Sequence, residues 1–191
     1  MIDWLFAPLS GGSAHTLSPM IAWHARCMVM AWGVIVPVAV LVARYWKIWP
    51  GQGWPQELDS KAWWHSHRLG QLFAVAVMSL GAYLAWRSNT LLSSEALKLH
   101  SNLGWTLVCR GWAQVLGGTL RGTKGGPGEA SERGDRFDMT PRRRLFEWSH
   151  KIMGWLALAL ACITIVLGLD LVNAPRWMML SLFIWWARSL S

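Results

Sequence analysis

Four histidines sit where an ionisable side chain is expensive. His24, His67, His100 and His150 each fall at the entrance of a long apolar run or a few residues inside it. A titratable group in such a run costs free energy, so each of the four is a functional candidate. Neutral imidazole is also the commonest metal ligand among side chains. The other two histidines read differently. His15 lies in a polar N-terminal stretch, and His65 sits about 200° around a helix from His67, toward the rim.

The positioning elements follow from the apolar runs. Residues 27–43 carry no charge, and the run extends back to Pro19. Residues 69–86 and 152–169 form two more runs, and residues 99–120 are apolar apart from His100, Arg110 and a few uncharged polar residues. Each is long enough to cross a hydrocarbon core of roughly 30 Å, which takes about 20 helical residues. The run 177–187, between Arg176 and Arg188, is shorter. With snorkelling arginines it stretches to a fifth span, an interfacial helix being the alternative. The expected fold is an all-α integral membrane protein: a four-helix transmembrane bundle plus a fifth, C-terminal helix. Its parts are an N-terminal segment over 1–18, the core over 19–172 and the C-terminal helix over 173–191.

Composition agrees. Of 191 residues, 53% are apolar, 15% are charged and 16 are Trp, which argues against a disordered, fibrous or ordinary soluble chain. Trp46, Trp49, Trp63, Trp64, Trp86, Trp148 and Trp177 mark span ends, as an aromatic belt would. Lys and Arg number 18 against 10 acids. They bunch in loops beside apolar runs, so the basic balance points to a lipid bilayer and not to nucleic acid. The N-terminal stretch lacks the basic start and long apolar run of a cleaved signal peptide. Arg26, Arg87, Lys98 and Arg176 lie near one face. Arg44, Lys47, Lys61, Arg68, Arg121, Lys124, Arg133, Arg136, Arg142, Arg143, Arg144, Lys151 and Arg188 lie near the other. The bias predicts an outer N-terminus and a cytoplasmic C-terminus. The long cytoplasmic loop, 122–144, is Gly- and Pro-rich in its first half and lacks the ending of a phosphate-binding loop. Arg142–Arg144 read as topology control, with docking of an anionic partner as the sharper alternative.

Antiparallel spans pair the histidines by depth. The first and third spans start outside, so His24 and His100 share one level; the second and fourth start inside, so His67 and His150 share another. Two imidazoles on diagonal helices of a bundle suit the two axial positions of one haem iron, and two such pairs suit two haems about 15 Å apart. Small residues recur on the histidine-bearing faces. Gly104, Gly111 and Gly118 follow His100. Gly154, Ala157, Ala161, Thr164 and Gly168 follow His150, and Gly70, Gln71, Ala74, Met78 and Gly81 follow His67. Cofactor space is one reading of these stripes, plain helix packing the other. Cys27, Cys109 and Cys162 are scattered in apolar runs, and no Cys-x-x-Cys-His is present, so a haem here is not held covalently. Arg68 and Lys151 directly follow His67 and His150 and suit haem propionates or an anionic donor, Arg26, two residues past His24, doing likewise outside, with surface snorkelling as the alternative. Arg110 lies ten residues past His100, about 15 Å deeper, with no carboxylate obviously placed to meet it. It either contacts a propionate of the cytoplasmic haem and holds its field positive, or bends to the rim or a partner helix.

Four stretches in order resemble the eukaryotic-type cytochrome b561 family. They are H-A-R-C-M-V-M-A-W-G-V-I-V-P from His24, W-W-H-S-H-R-L-G-Q around His67, L-H-S-N-L-G-W with Q-V-L-G-G-T-L-R from Leu99 to Arg121, and R-R-L-F-E-W-S-H-K-I-M-G around His150. The resemblance implies a four-helix core with two haem b groups, His24 with His100 and His67 with His150 as iron ligands, and single-electron transfer across the membrane. It implies a small redox donor such as ascorbate and an acceptor such as monodehydroascorbate or a ferric chelate. Most vesicle members have an additional helix before the core; this shorter form is of the kind expected in a bacterial inner membrane. Residue 102 is Asn where ascorbate-linked members often carry Trp, which makes a quinol or a partner redox protein, within a larger complex or not, an equal alternative donor. The competing function class is a transporter or scaffold binding metal ions directly through the histidines, which calls for added carboxylates or thiolates beside them.

Overall fold

The computed structural model describes residues 2–12, 16–51, 53, 61–88, 90–91, 93–121 and 140–190. His15 and the first part of the long loop, 122–139, lie outside them. The first span is one continuous helical rod in three parts: α2 (Pro19–Met28), a π-helical turn (Val29–Ile35) and α3 (Val36–Tyr45). It is followed by α4 (Lys61–Arg87), α5 (Glu95–Thr119), α6 (Pro141–Leu171) and α7 (Arg176–Leu190), and preceded by a short α1 (Ile2–Phe6).

Helix starts obey local chemistry. Ser18, Ser94 and Thr140 each accept a backbone N–H from the first turn of α2, α5 and α6, and Pro19 and Pro141 occupy the first helical position, where a missing N–H costs nothing. The last of these places Arg142–Arg144 on α6 and not in the loop. Arg142 donates to the Leu120 carbonyl at the end of α5, and Arg143 is buried.

Among the described residues three rods are long and apolar enough to cross a membrane: 19–45 with mean hydropathy 2.1, 62–87 with 1.6 and 141–171 with 2.5. The third core helix, α5, has 25 residues, about 37 Å of helix, but is less apolar because His100, Asn102, Arg110 and Gln114 dilute it. The residues that lower its hydropathy include candidate functional ones. The rods pack in a ring, the first against α4, α4 against α5, α5 against α6, and α6 back against the π turn. Ala31, Trp32, Val75, Met78, Leu107, Ala157, Ala161 and Ile165 fill the centre.

The C-terminal helix forms as expected, at 15 residues or about 22 Å, shorter than the hydrocarbon core. It docks at mid-depth on the first rod. Pro37 has no N–H, so the Gly33 carbonyl four residues earlier has no regular helical partner. The backbone there widens, the Val36 N–H reaching Ala31 five residues back, and Gly33 O accepts the indole N–H of Trp185 at 2.8 Å and of Trp186 at 3.3 Å. The N-terminal segment also folds. Leu9 N–H donates to Ala174 O, Arg176 N–H to Ala7 O and Ser10 N–H to the Asn173 side chain, while Arg176 lies over the Trp4 ring. This strap ties α1 to the α6–α7 turn. Replacing Trp185 and Trp186 together by Phe leaves the Gly33 carbonyl unpaired in a buried place, a cost of about 1–3 kcal/mol. Thermal unfolding of the pure protein in detergent checks this; an unchanged Tm refutes it.

Candidate histidine sites

Each site grows from one ring bonded to a neighbouring backbone. His24 Nδ1 lies 2.9 Å from the Gly81 carbonyl, His67 Nδ1 2.8 Å from that of Ala39 and His100 Nδ1 3.1 Å from that of Thr164. A carbonyl can only accept, so Nδ1 carries the proton and Nε2 keeps a free lone pair. The first two bonds pin the first rod to α4 at both ends. The third pins α5 to α6, and the other end of that pair is pinned by Gln114, whose Nε2 donates to the His150 carbonyl at 3.2 Å. His150 Nδ1 itself is buried and has no hydrogen-bond partner. Phe146, one turn earlier, stacks on the His150 ring at 5.2 Å between centres.

The rings meet across the bundle. His24 faces His100 with centres 6.3 Å apart, and His67 faces His150 at 6.5 Å, both nearly edge to face. Two imidazoles on one metal, each through a bond of about 2.0–2.1 Å, hold their ring centres about 6 Å apart. Both gaps fit a single iron. Among the described residues no third His, Cys, Asp or Glu joins either pair to form a closed metal site.

The carbonyl that meets each facing ring stands 14 residues along the same rod: Gly81 from His67, and Thr164 from His150. That is about 21 Å of helix. The stripe residues behave accordingly. A Cβ on Gly168 would lie 2.9 Å from the His100 ring, and one on Gly81 would lie 2.9 Å from Cys27, so both glycines do make room at the opposite level. Gly111, placed by its spacing at a cofactor level, instead admits the Met78 and Trp32 side chains between the levels. Gly104 stands at the level of its own histidine, lining a cavity of about 350 Å³ with His24, His100, Thr164 and Gly168.

The predicted cations divide. Arg110 shares a cavity of about 180 Å³ with His150, Gln114, Phe146 and Met153. Arg26 turns away and lies over the Trp23 ring, because residue 26 faces away from residue 24. Lys151 is exposed beside Glu147, at 3.9 Å, and Arg68 is exposed. Neither lines the His150 cavity. Phe146 and Gln114 were not singled out by sequence, and Arg143 was read there as topology control. Arg143 Nε donates to Glu147 Oε1 at 3.0 Å one turn along α6, the arginine buried and the carboxylate half-buried. The signals were there: Gln114 is a polar residue in the apolar run on the His100 side of α5, and Phe146 is one turn from His150.

A helical membrane bundle with two facing histidine pairs defines a class, that of transmembrane haem proteins. The sequence profile described as eukaryotic cytochrome b561 matches residues 23–173, and the chain belongs to that family. Membership carries with it a b-type haem, an integral membrane location and electron transfer. The chain is 27% identical over 164 residues to a cytochrome b561, DM13 and DOMON domain-containing protein of Arabidopsis thaliana, covering 84% of this chain and 16% of that one. It is 27% identical over 180 residues to ferric-chelate reductase 1 of Mus musculus and 29% identical over 171 to that of Bos taurus, covering 88% of this chain and 26% of each. It thus spans about a quarter or less of these relatives' lengths. No solved structure matches it. Gly168→Ala is expected to push the His100 ring aside and lower haem bound per protein, while Gly118→Ala, whose Cβ meets nothing within 4 Å, leaves it unchanged. The pyridine haemochrome absorbance reads both; equal haem in the two variants refutes the crowding.

Proposed function

We propose that the chain carries single electrons across the membrane through two b-type haems, one ligated by His24 and His100 and the other by His67 and His150. The observation that carries this reading is the pair of facing imidazoles at each level, three of the four with the Nδ1 proton committed to a backbone carbonyl. Such a proton fixes the tautomer, leaves Nε2 free to ligate and raises its basicity as a ligand. The haems supply the one-electron chemistry, and two histidines on each iron leave no open position for oxygen.

The protein's own residues hold and insulate. An apolar layer of Trp32, Met78, Leu107, Ala157 and Ala161 lies between the two levels. The distribution of basic residues supports an outer N-terminus, which puts the His24/His100 pair near the outer face and the His67/His150 pair near the cytoplasm. The relatives named ferric-chelate reductase make a ferric chelate the first acceptor to test. Ascorbate, a quinol and a partner redox protein are the donors to set against one another. The direct metal-binding reading loses ground, because neither pair has a third ligand among the described residues.

The test is a redox and haem titration of single His→Ala variants. Wild type is expected to bind two haems. His24→Ala and His100→Ala should abolish one spectral component, and His67→Ala and His150→Ala the other. If His24→Ala and His67→Ala removed the same component, the pairing would be wrong.

A further inference from the structure

The smaller cavity touches the His67/His150 level from the flank of the bundle. Its walls are α5 and α6 alone, each giving four residues at the one-face spacing i, i+3, i+4, i+7: positions 110, 113, 114 and 117, and 146, 149, 150 and 153. No residue of the first rod or of α4 lines it. Ala113 and Met153 are exposed on that flank, so the cavity opens on the lipid side. Its α5 positions lie inside the apolar run 99–120, and its α6 positions straddle the start of the run 152–169. A ligand that enters here comes from the bilayer.

The lining is more polar than a lipid contact requires. At the deeper end stands Arg110, half-buried, whose Nη1 donates to the Met153 sulfur at 3.4 Å, a weak acceptor. None of the ion pairs among the described residues includes it. A guanidinium carries five N–H donors, and inside a span an unmet donor is costly. Four residues along α5, about 6 Å nearer the rim, Gln114 uses its amide N–H on the His150 carbonyl and keeps Oε1 as an acceptor. Ser149 Oγ donates to the Phe146 carbonyl and keeps its own lone pairs. Phe146 adds an aromatic ring to the wall. The cavity thus offers donors at one end, acceptors one turn away and a ring beside them. Its volume of about 180 Å³ suits a single six-membered ring, since a cavity of about 150 Å³ takes up benzene. A phospholipid phosphate would satisfy Arg110 but would set Gln114 Oε1 against another acceptor.

We propose that this cavity binds the headgroup of a membrane quinol and that the chain takes electrons from it there. Arg110 donates to one ring oxygen, and the hydroxyl across the ring donates to Gln114 Oε1 or Ser149 Oγ. The hydroquinone loses two electrons and two protons and becomes the quinone. Each of two ferric irons takes one electron and becomes ferrous, and both protons pass to water at the near membrane face. Because His150 is part of the wall, electrons enter at the His67/His150 level. This rests on the two-haem reading above and chooses among its donors.

The experiment uses the full chain in phosphatidylcholine vesicles, with decylubiquinol as reductant and an azidoquinone as photolabel. Gly117→Leu fills the cavity, where a Cβ meets only Phe146, at 3.9 Å, and Arg110→Met removes the donor. Cys109→Leu adds bulk on the exposed side of α5, outside the cavity, as a control. In wild type the label should fall on peptides carrying 110–117 or 146–153, and decylubiquinol should reduce the haem. Both cavity variants should lose the label and slow reduction by about tenfold or more, the loss of one charge-assisted hydrogen bond. Dithionite should still reduce all their haem, and Cys109→Leu should match wild type. Label elsewhere, label retained in Gly117→Leu, or unchanged rates in both variants overturns the proposal. So does label displaced by added phosphatidylglycerol and not by unlabelled quinone, which would make the cavity a phospholipid site. Labelling does not need the haem, so a variant that loses haem is still read. Fewer than two haems in a wild type that labels as expected overturns the two-haem reading and leaves the quinol site standing.

Discussion

An imidazole in an apolar bundle must place its ring proton, and most of this architecture follows from where that proton goes. In water the proton is satisfied at no cost; inside the bundle an unmade bond costs more than a made one returns. His24 and His67 give theirs to the first rod and α4 reciprocally, each ring reaching the backbone of the other's helix. His100 does the same from α5 to α6, and the Gln114 amide takes the fourth place by donating to the His150 carbonyl. The bundle is thereby two pinned helix pairs, which pack on each other through α4 against α5 and α6 against the π turn, with a pair of facing rings at each end.

The pins constrain the backbone around them. Gly81 and Gly168 lie where a neighbouring helix or ring comes within 3 Å of any added Cβ, so a larger residue there would spread the helices that the histidine bonds draw together. At mid-depth, where no histidine bond acts, the packing is apolar and tight, with Met78 fully buried against Gly111 and Trp32. The first rod adds its own device. Pro37 removes one hydrogen bond from the span, and the two adjacent indoles of α7 restore a partner to the freed carbonyl. A helix too short to cross the bilayer alone is held at the bundle by a defect in its neighbour, and the N-terminal strap closes over the turn that leads to it.

The two levels differ in their surroundings and not in the residues that face each other. Both pairs are histidine on histidine at nearly the same separation. One opens on an apolar cavity and the other on a cavity edged by a guanidinium, an amide and a phenyl ring. A protein that uses one ligand set twice can distinguish its two sites only through such neighbours.

Much of this was legible from the chain alone. The rise of a helix is constant, so the spacing of His24, His67, His100 and His150 within their apolar runs was enough to pair them by depth. Side-chain destinations were not legible, because they depend on which neighbour a helix face meets. Arg26 turned to its own Trp23, Lys151 toward Glu147, and Arg110 into the His150 cavity, destinations that residue type and spacing did not distinguish. The level spacing also belonged to the tertiary structure, since ring protons choose carbonyls on other rods and so set the levels about 21 Å apart. Sequence determines position along and around one helix; packing against another decides what each position touches.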